Sequence, residues 1–67
     1  MEIRLNGAPH SLDGSMLSDL LAAQRIDATR RGVAVAVNSA VVPRKHWPTL
    51  ALRPGDEVEI VRPHSGG

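Results

Sequence analysis

Residues 2–5 alternate polar and apolar as Glu2, Ile3, Arg4, Leu5, the period-2 signature of a strand with one face buried. Asn6-Gly7 follows, a pair that tolerates positive φ at both positions and so closes a two-residue hairpin. With those two as the loop, Leu5 faces Ala8, Ile3 faces His10 and Met1 faces Leu12, which puts the apolar positions on one face. Pro9 has no N–H to give a further neighbour, so the second strand belongs at a sheet edge. Asp13-Gly14-Ser15 breaks the strand, and the Ser15 hydroxyl is placed to cap a helix. Leu17, Leu20, Leu21 and Gln24 then fall at i, i+3, i+4 and i+7, one narrow apolar stripe. Asp19 near the start and Arg25 near the end both suit the helix dipole. The spacing predicts a helix over 16–25 that loosens through 26–29 and is stopped by Gly32.

The second half returns to strand patterns. Residues 33–37 alternate Val and Ala, which reads as a central strand with both faces covered or nearly so. Residues 38–40 turn, and Val41-Val42 forms a short return strand ended by Pro43. Residues 44–47 have room for one helical turn before Pro48, and Leu50 and Leu52 can anchor another short strand. Arg53-Pro54-Gly55-Asp56 places Pro and Gly where a type II turn wants them. The last strand covers 57–61, with Val58 and Ile60 on one face. The order ββαβ(β)β, with short connections and one main helix, gives an α+β fold with a mixed sheet of four to five strands. The first and last strands are expected side by side and parallel under the helix, bringing Arg4 toward Glu57 or Glu59. That arrangement is the β-grasp, or ubiquitin-like, fold. It assigns residues 1–62 to the folded domain and 63–67 to a flexible tail.

Composition narrows the function. A chain of 67 residues buries only about 60% of its unfolded surface and has little room for a deep cleft. Hydrophobic residues make up 42% and the only aromatic residue is Trp47, so the core is aliphatic, with Trp47 expected to cover it at a loop. Arg44, after Pro43, is expected to be structural, with a partner contact as the other reading. Cysteine is absent, which removes thiol nucleophiles and thiolate metal sites. His10, His46 and His64 lack ligand spacing, so no metal site is expected. Asp56, Glu57 and Glu59 read as a turn residue and two outward strand residues rather than an acid/base pair. A formal net charge of +1 with dispersed basic pairs argues against nucleic acid as a partner. Residues 1–15 do not read as a signal peptide and no apolar run approaches the ~18 residues of a membrane span, so a cytoplasmic protein without membrane contact is expected. No catalytic residue is expected either.

The tail carries the remaining chemistry. After Arg62 the chain runs Pro63-His64-Ser65-Gly66-Gly67 with nothing to bury. At an average glycine usage of about 7%, two final glycines arise by chance in roughly 1 of 200 chains. One reading is a frayed polar end. The other is a thin thread, since glycine has no Cβ and little φ preference, and such a thread fits a channel that would reject any side chain. Its carboxylate would then be the reactive group, activated as an acyl-adenylate by an ATP-using partner and displaced by sulfur or an amine.

The whole pattern resembles the ThiS family, the small sulfur carriers of thiamin (thiazole) biosynthesis. The resemblance rests on Asn6-Gly7, the 13–21 segment, Val35-Ala36-Val37-Asn38, Val42-Pro43-Arg44 with Trp47, Gly55-Asp56, the 58–61 strand and Gly66-Gly67. It implies a β-grasp fold and a monomer when free. It also implies that a ThiF-type enzyme adenylates the Gly67 carboxylate with ATP and Mg²⁺, no cofactor being bound by this chain itself. Sulfur from a cysteine-derived persulfide then makes the thiocarboxylate, which delivers sulfur to the thiazole synthase ThiG. Gly67 is the modified residue, Gly66 gives clearance, and Arg62, Pro63, His64 and Ser65 would line the partner's channel. The family often has small or apolar residues before the glycines, so Pro63 and His64 depart from it. Two alternatives stay open: a carrier for molybdopterin or another sulfur-containing metabolite, and a ubiquitin-like binding module without tail chemistry.

Overall fold

In the computed structural model, which describes residues 1–63, β1 (Glu2–Leu5) and β2 (Ala8–Ser11) pair antiparallel with Leu5 opposite Ala8 and Ile3 opposite His10. Asn6 and Gly7 sit at φ 50° and 83°, the two positive values a type I′ hairpin turn demands. Beyond the strands the pairing continues, since the Met1 ammonium donates to the Leu12 carbonyl and the Leu12 N–H donates to Met1, both at 2.8 Å. β2 lies at the sheet edge, so Pro9 leaves no ladder bond unmade.

The helix is shorter than its apolar stripe suggests. α1 spans Leu17–Ala23, and both ends have local causes. At the start the Ser15 hydroxyl makes no cap; instead the Asp19 carboxylate accepts from the N–H groups of Ser15 and Met16 at 3.2 and 3.0 Å. Gly14 at φ 92° leaves room for it, because a Cβ there would stand 2.5 Å from the Asp19 carboxylate oxygen. At the end the Arg25 N–H bonds to Ala22 O and the Ile26 N–H to Leu21 O, at 3.0 and 2.9 Å. These are the two bonds of a Schellman motif, whose pivot normally takes glycine. Here the pivot is Arg25, at φ 56°.

β3 (Ala34–Val37) and β4 (Ala40–Val41) form the second hairpin, turned by Asn38 and Ser39 at φ 50° and 70°. The return strand thus starts at Ala40 rather than Val41, and the Val42 N–H still reaches Val35 O at 2.8 Å. Residues 44–46 make one 3-10 turn. The 50–52 stretch does not join the sheet as a strand; it ties down the helix entry, with Leu17 N–H on Leu50 O at 3.0 Å and Leu52 N–H on Ser15 O at 2.7 Å. Gly55 at φ 85° and the Asp56 N–H on Arg53 O at 3.1 Å close the type II turn into β5 (Glu57–Val61).

The five strands run in the order β2-β1-β5-β3-β4, with β1 and β5 parallel and the other pairs antiparallel. One face carries the core, where Ile3, Val35, Val58 and Ile60 meet Leu17, Leu20 and Leu21 of α1, with Leu12, Leu52 and Trp47 closing the rim. The other face is open: Ala34 is exposed, so β3 is central in the sheet but covered on one side only. Among the described residues no helix is long and apolar enough to cross a membrane.

Candidate functional site

The root of the tail is set by β5, which is bonded along both edges. On one side it pairs with β3 over four registers from Ala34–Val61 to Val37–Val58. On the other side β1 covers only its beginning, through Arg4–Glu57 and Leu5–Val58. The Asn6 side-chain amide extends that edge: Oδ1 accepts from the Ile60 N–H at 2.8 Å and Nδ2 donates to Ile60 O at 3.3 Å. Asn38 continues the β3 edge at the other end of β5, its Oδ1 accepting from the Glu57 N–H at 2.9 Å while its backbone N–H donates to Glu57 O at 2.7 Å. Each asparagine therefore serves twice, by taking positive φ in a turn and by completing β5. The sequence pattern points to the first role only.

Past Val61 the chain turns its side chains toward the helix-side loop. Arg62 points to the helix side, where its guanidinium donates to Gln24 O at 3.2 Å. Pro63 lies against Gly32: a Cβ on Gly32 would come within 2.9 Å of the Pro63 Cβ, and φ there is +88°. Gly32 is thus needed both for its backbone conformation and for the close passage of the tail's root. His64, Ser65, Gly66 and Gly67 lie outside the described residues, so of the residues expected at the site the structure describes Arg62 and Pro63.

The loop beneath the root is held by Arg44. Its guanidinium donates to the carbonyls of Ala28, Arg30 (2.8 Å) and Val33 (3.3 Å). The same group stacks over the Trp47 ring at 4.3 Å. The buried Trp47 in turn donates through Nε1 to Val42 O at 2.9 Å. Arg44 is therefore structural, as the sequence suggests, but its reach into the 28–33 loop is not readable from spacing; the i, i+3 placement of Arg44 and Trp47 was the available signal. Within the loop Asp27 accepts from the Thr29 hydroxyl at 2.6 Å and the Thr29 N–H at 2.9 Å. The hydroxyl bond, then the backbone bond, lower the Asp27 pKa from its ordinary value.

Two surfaces flank the root. On the helix side, Arg25, Arg30, Arg62, Ile26, Val33 and Pro63 surround a hollow of about 240 Å³. On the open face, Val61 pairs with Ala34 and Val41 with Ala36. The two valines are 62% and 77% exposed, so an apolar patch adjoins the point where the tail leaves. Farther along the same face the sheet is polar, with Arg4 and Glu57 paired at 3.6 Å in solvent, where such a pair contributes little.

The described residues form an aliphatic β-grasp domain with an exposed apolar patch beside the point where β5 ends. The chain belongs to the ThiS family, whose model matches residues 3–67. It is similar to the sulfur carrier protein ThiS of Thermus thermophilus, 36% identical over 63 residues that cover 94% of this chain and 95% of the relative. Its similarity to the sulfur carrier protein ThiS of Escherichia coli is 30% over 54 residues, covering 81% and 79%. The crystal structure of the thiamine biosynthesis protein ThiS from Geobacter metallireducens superimposes with a TM-score of 0.78 at 31% identity, with both chains fully covered. The solution structure of a thiamine biosynthesis protein from that organism gives 0.79 at 30%, covering all of this chain and 88% of the other. Fold class and family resemblance are thus as the sequence suggests.

Proposed function

We propose that this chain carries sulfur for thiazole formation in thiamin biosynthesis, as a thiocarboxylate on Gly67. The observation that carries the reading is the rigid β5 root, bonded on both edges and leading directly into a sequence that ends in Gly66-Gly67. A side-chain-free end can enter a narrow channel, and a fixed root aims it. Membership of the ThiS family supports the same reading.

The chemistry assigns each atom a place. The Gly67 carboxylate attacks the α-phosphate of ATP on a ThiF-type enzyme, with Mg²⁺ bound by that enzyme, and pyrophosphate leaves. The terminal sulfur of a cysteine-derived persulfide attacks the acyl carbon and AMP leaves. A thiol then reduces the resulting acyl disulfide, releasing the thiocarboxylate, whose sulfur passes to the thiazole synthase ThiG. Residues 62–65 line the partner's channel, and the Ala34–Ala36–Val41–Val61 patch docks against the partner, an apolar surface made for burial on association.

The test is intact mass after incubation with ATP, Mg²⁺, a ThiF-type enzyme, a persulfide donor and a thiol reductant. The expected result is a gain equal to the difference between sulfur and oxygen, lost when Gly67 is deleted. Equal modification of the Gly67-deleted chain would overturn the assignment.

A further inference from the structure

The hollow beside the tail root holds three guanidinium groups, Arg25, Arg30 and Arg62, and one carboxylate, Asp27. Asp27 is committed to Thr29 through two hydrogen bonds. The one ion pair among the described residues lies elsewhere, between Arg4 and Glu57. Three guanidinium charges face this one carboxylate, so the concavity keeps a net positive charge, and no ion pair closes within it among the described residues. Arg25 adds an independent oddity. It occupies the Schellman pivot at φ 56°, where a side chain is strained and glycine is favoured. Its side chain makes no hydrogen bond among the described residues that would account for that strain, whereas Arg62 at least donates to Gln24. A strained arginine with no hydrogen-bonding task among the described residues suggests an external one.

We propose that Arg25, Arg30 and Arg62 form a cationic cradle that receives carboxylate side chains at the mouth of the activating enzyme's channel. This rests on the carrier reading above. Chain length decides between a protein surface and the nucleotide as the occupant. Gly67 lies four residues beyond Pro63, so an extended tail carries its carboxylate about 13–14 Å past the cradle. ATP bound where that carboxylate reacts is out of reach of groups lining the root, whereas the rim of the channel is level with them. The rim group must be anionic, and a carboxylate matches guanidinium geometry with two parallel bonds. The cradle and the Val61 patch then grip opposite faces of the same root, fixing both the seat and the direction of the tail. A charged rim of this kind acts on encounter and on salt dependence more than on the chemical step.

The experiment measures adenylation kinetics with a ThiF-type enzyme and saturating ATP, varying the carrier concentration. Arg25→Glu and Arg30→Glu are each expected to raise KM by about fivefold or more with kcat held within about twofold, and to flatten the rise of KM with salt. Arg25→Gly is the sharper variant: it relieves the strained φ, so the thermal midpoint rises while KM also rises. Arg53→Glu, an equal charge change at a distant turn, leaves KM unchanged. Unaltered KM in both glutamate variants, or an equal rise in Arg53→Glu, would overturn the cradle while leaving the carrier reading intact. No modification of the unaltered chain would overturn the carrier reading itself.

Discussion

Strand β5 and the 24–33 segment lie side by side, yet they are held by opposite means. β5 is completed by neutral amides: the Asn6 side chain grips Ile60 at both N–H and carbonyl, and Asn38 grips Glu57 with its side-chain oxygen and its backbone N–H. The 24–33 segment is held by cations reaching carbonyls from outside, Arg44 to three of them and Arg62 to Gln24. An amide that both donates and accepts continues a sheet and fixes the strand in register. A guanidinium only donates, so it gathers chain ends and turns without imposing a repeat. The difference assigns separate duties. β5 belongs to the fold and fixes where the tail starts; the arginine-tied segment shapes the surroundings of that start and can vary without unfolding the sheet.

The largest expected effect comes from breaking the amide side. Asn6→Ala leaves the part-buried Ile60 N–H without its acceptor and forces alanine to φ 50°. Together these cost about 2–4 kcal/mol, a large share of the stability of so small a domain. Asn6→Gly isolates the hydrogen bonds, since it keeps the backbone free, and Asn6→Asp keeps the acceptor and loses only the donor. Chemical denaturation should rank the losses Ala, then Gly, then Asp. If Asn6→Ala unfolds at the midpoint of the unaltered chain, the amide grip contributes nothing and the comparison collapses.

The arginine side should yield less and yield locally. Arg44→Lys replaces a planar fork serving three carbonyls and a ring face with a single ammonium. Arg44 is exposed, so water replaces part of what is lost, and about 1 kcal/mol is expected. Hydrogen exchange distinguishes this from a global loss: amides of the 27–33 loop should exchange faster, while the Ile60 amide keeps its protection. Equal acceleration at both would mean that the loop and β5 form one cooperative unit.

That division also explains what was legible in the chain. The period-2 runs, Asn6-Gly7 and the Pro54-Gly55 turn encode local geometry, so strand register, the parallel β1–β5 pair and the Arg4–Glu57 approach could all be read in advance. The helix ends could not. Ser15 looks like the cap, but Asp19 reaches back to the N–H groups of Ser15 and Met16 instead, and Arg25 occupies a pivot that sequence rules reserve for glycine. Asn38-Ser39 reads in the sequence as part of a longer turn because serine is a poor predictor of positive φ. The Gly66-Gly67 end is an expectation of the sequence that lies outside the described residues, whereas the cationic hollow beside its root has no signal in the spacing. Arg25, Arg30 and Arg62 are spread over 38 positions, and only the parallel sheet and the helix stop bring them together.

The smallest effect tests the loop's own internal grip. Asp27 is fully exposed, and its pKa is lowered first by the Thr29 hydroxyl and then by the Thr29 N–H, with Arg30 and Arg44 contributing from a distance. A carboxyl depressed by folding stabilises the native state above its unfolded value of about 3.8 and loses that contribution as pH falls through the folded value. The loop should therefore be insensitive to pH near neutrality and loosen only in acid below 3.8. Thr29→Val removes the hydroxyl but keeps the backbone donor, so the Asp27 carboxyl should titrate closer to 3.8 while staying below it. Carboxyl NMR titration of the two proteins reads this directly. An unaltered chain whose Asp27 titrates at or above 3.8 would show that the Asp27–Thr29 bonds are not held in solution. The 27–29 turn would then have no grip of its own, and the arginines reaching in from outside would alone hold the segment beside the satisfied strand.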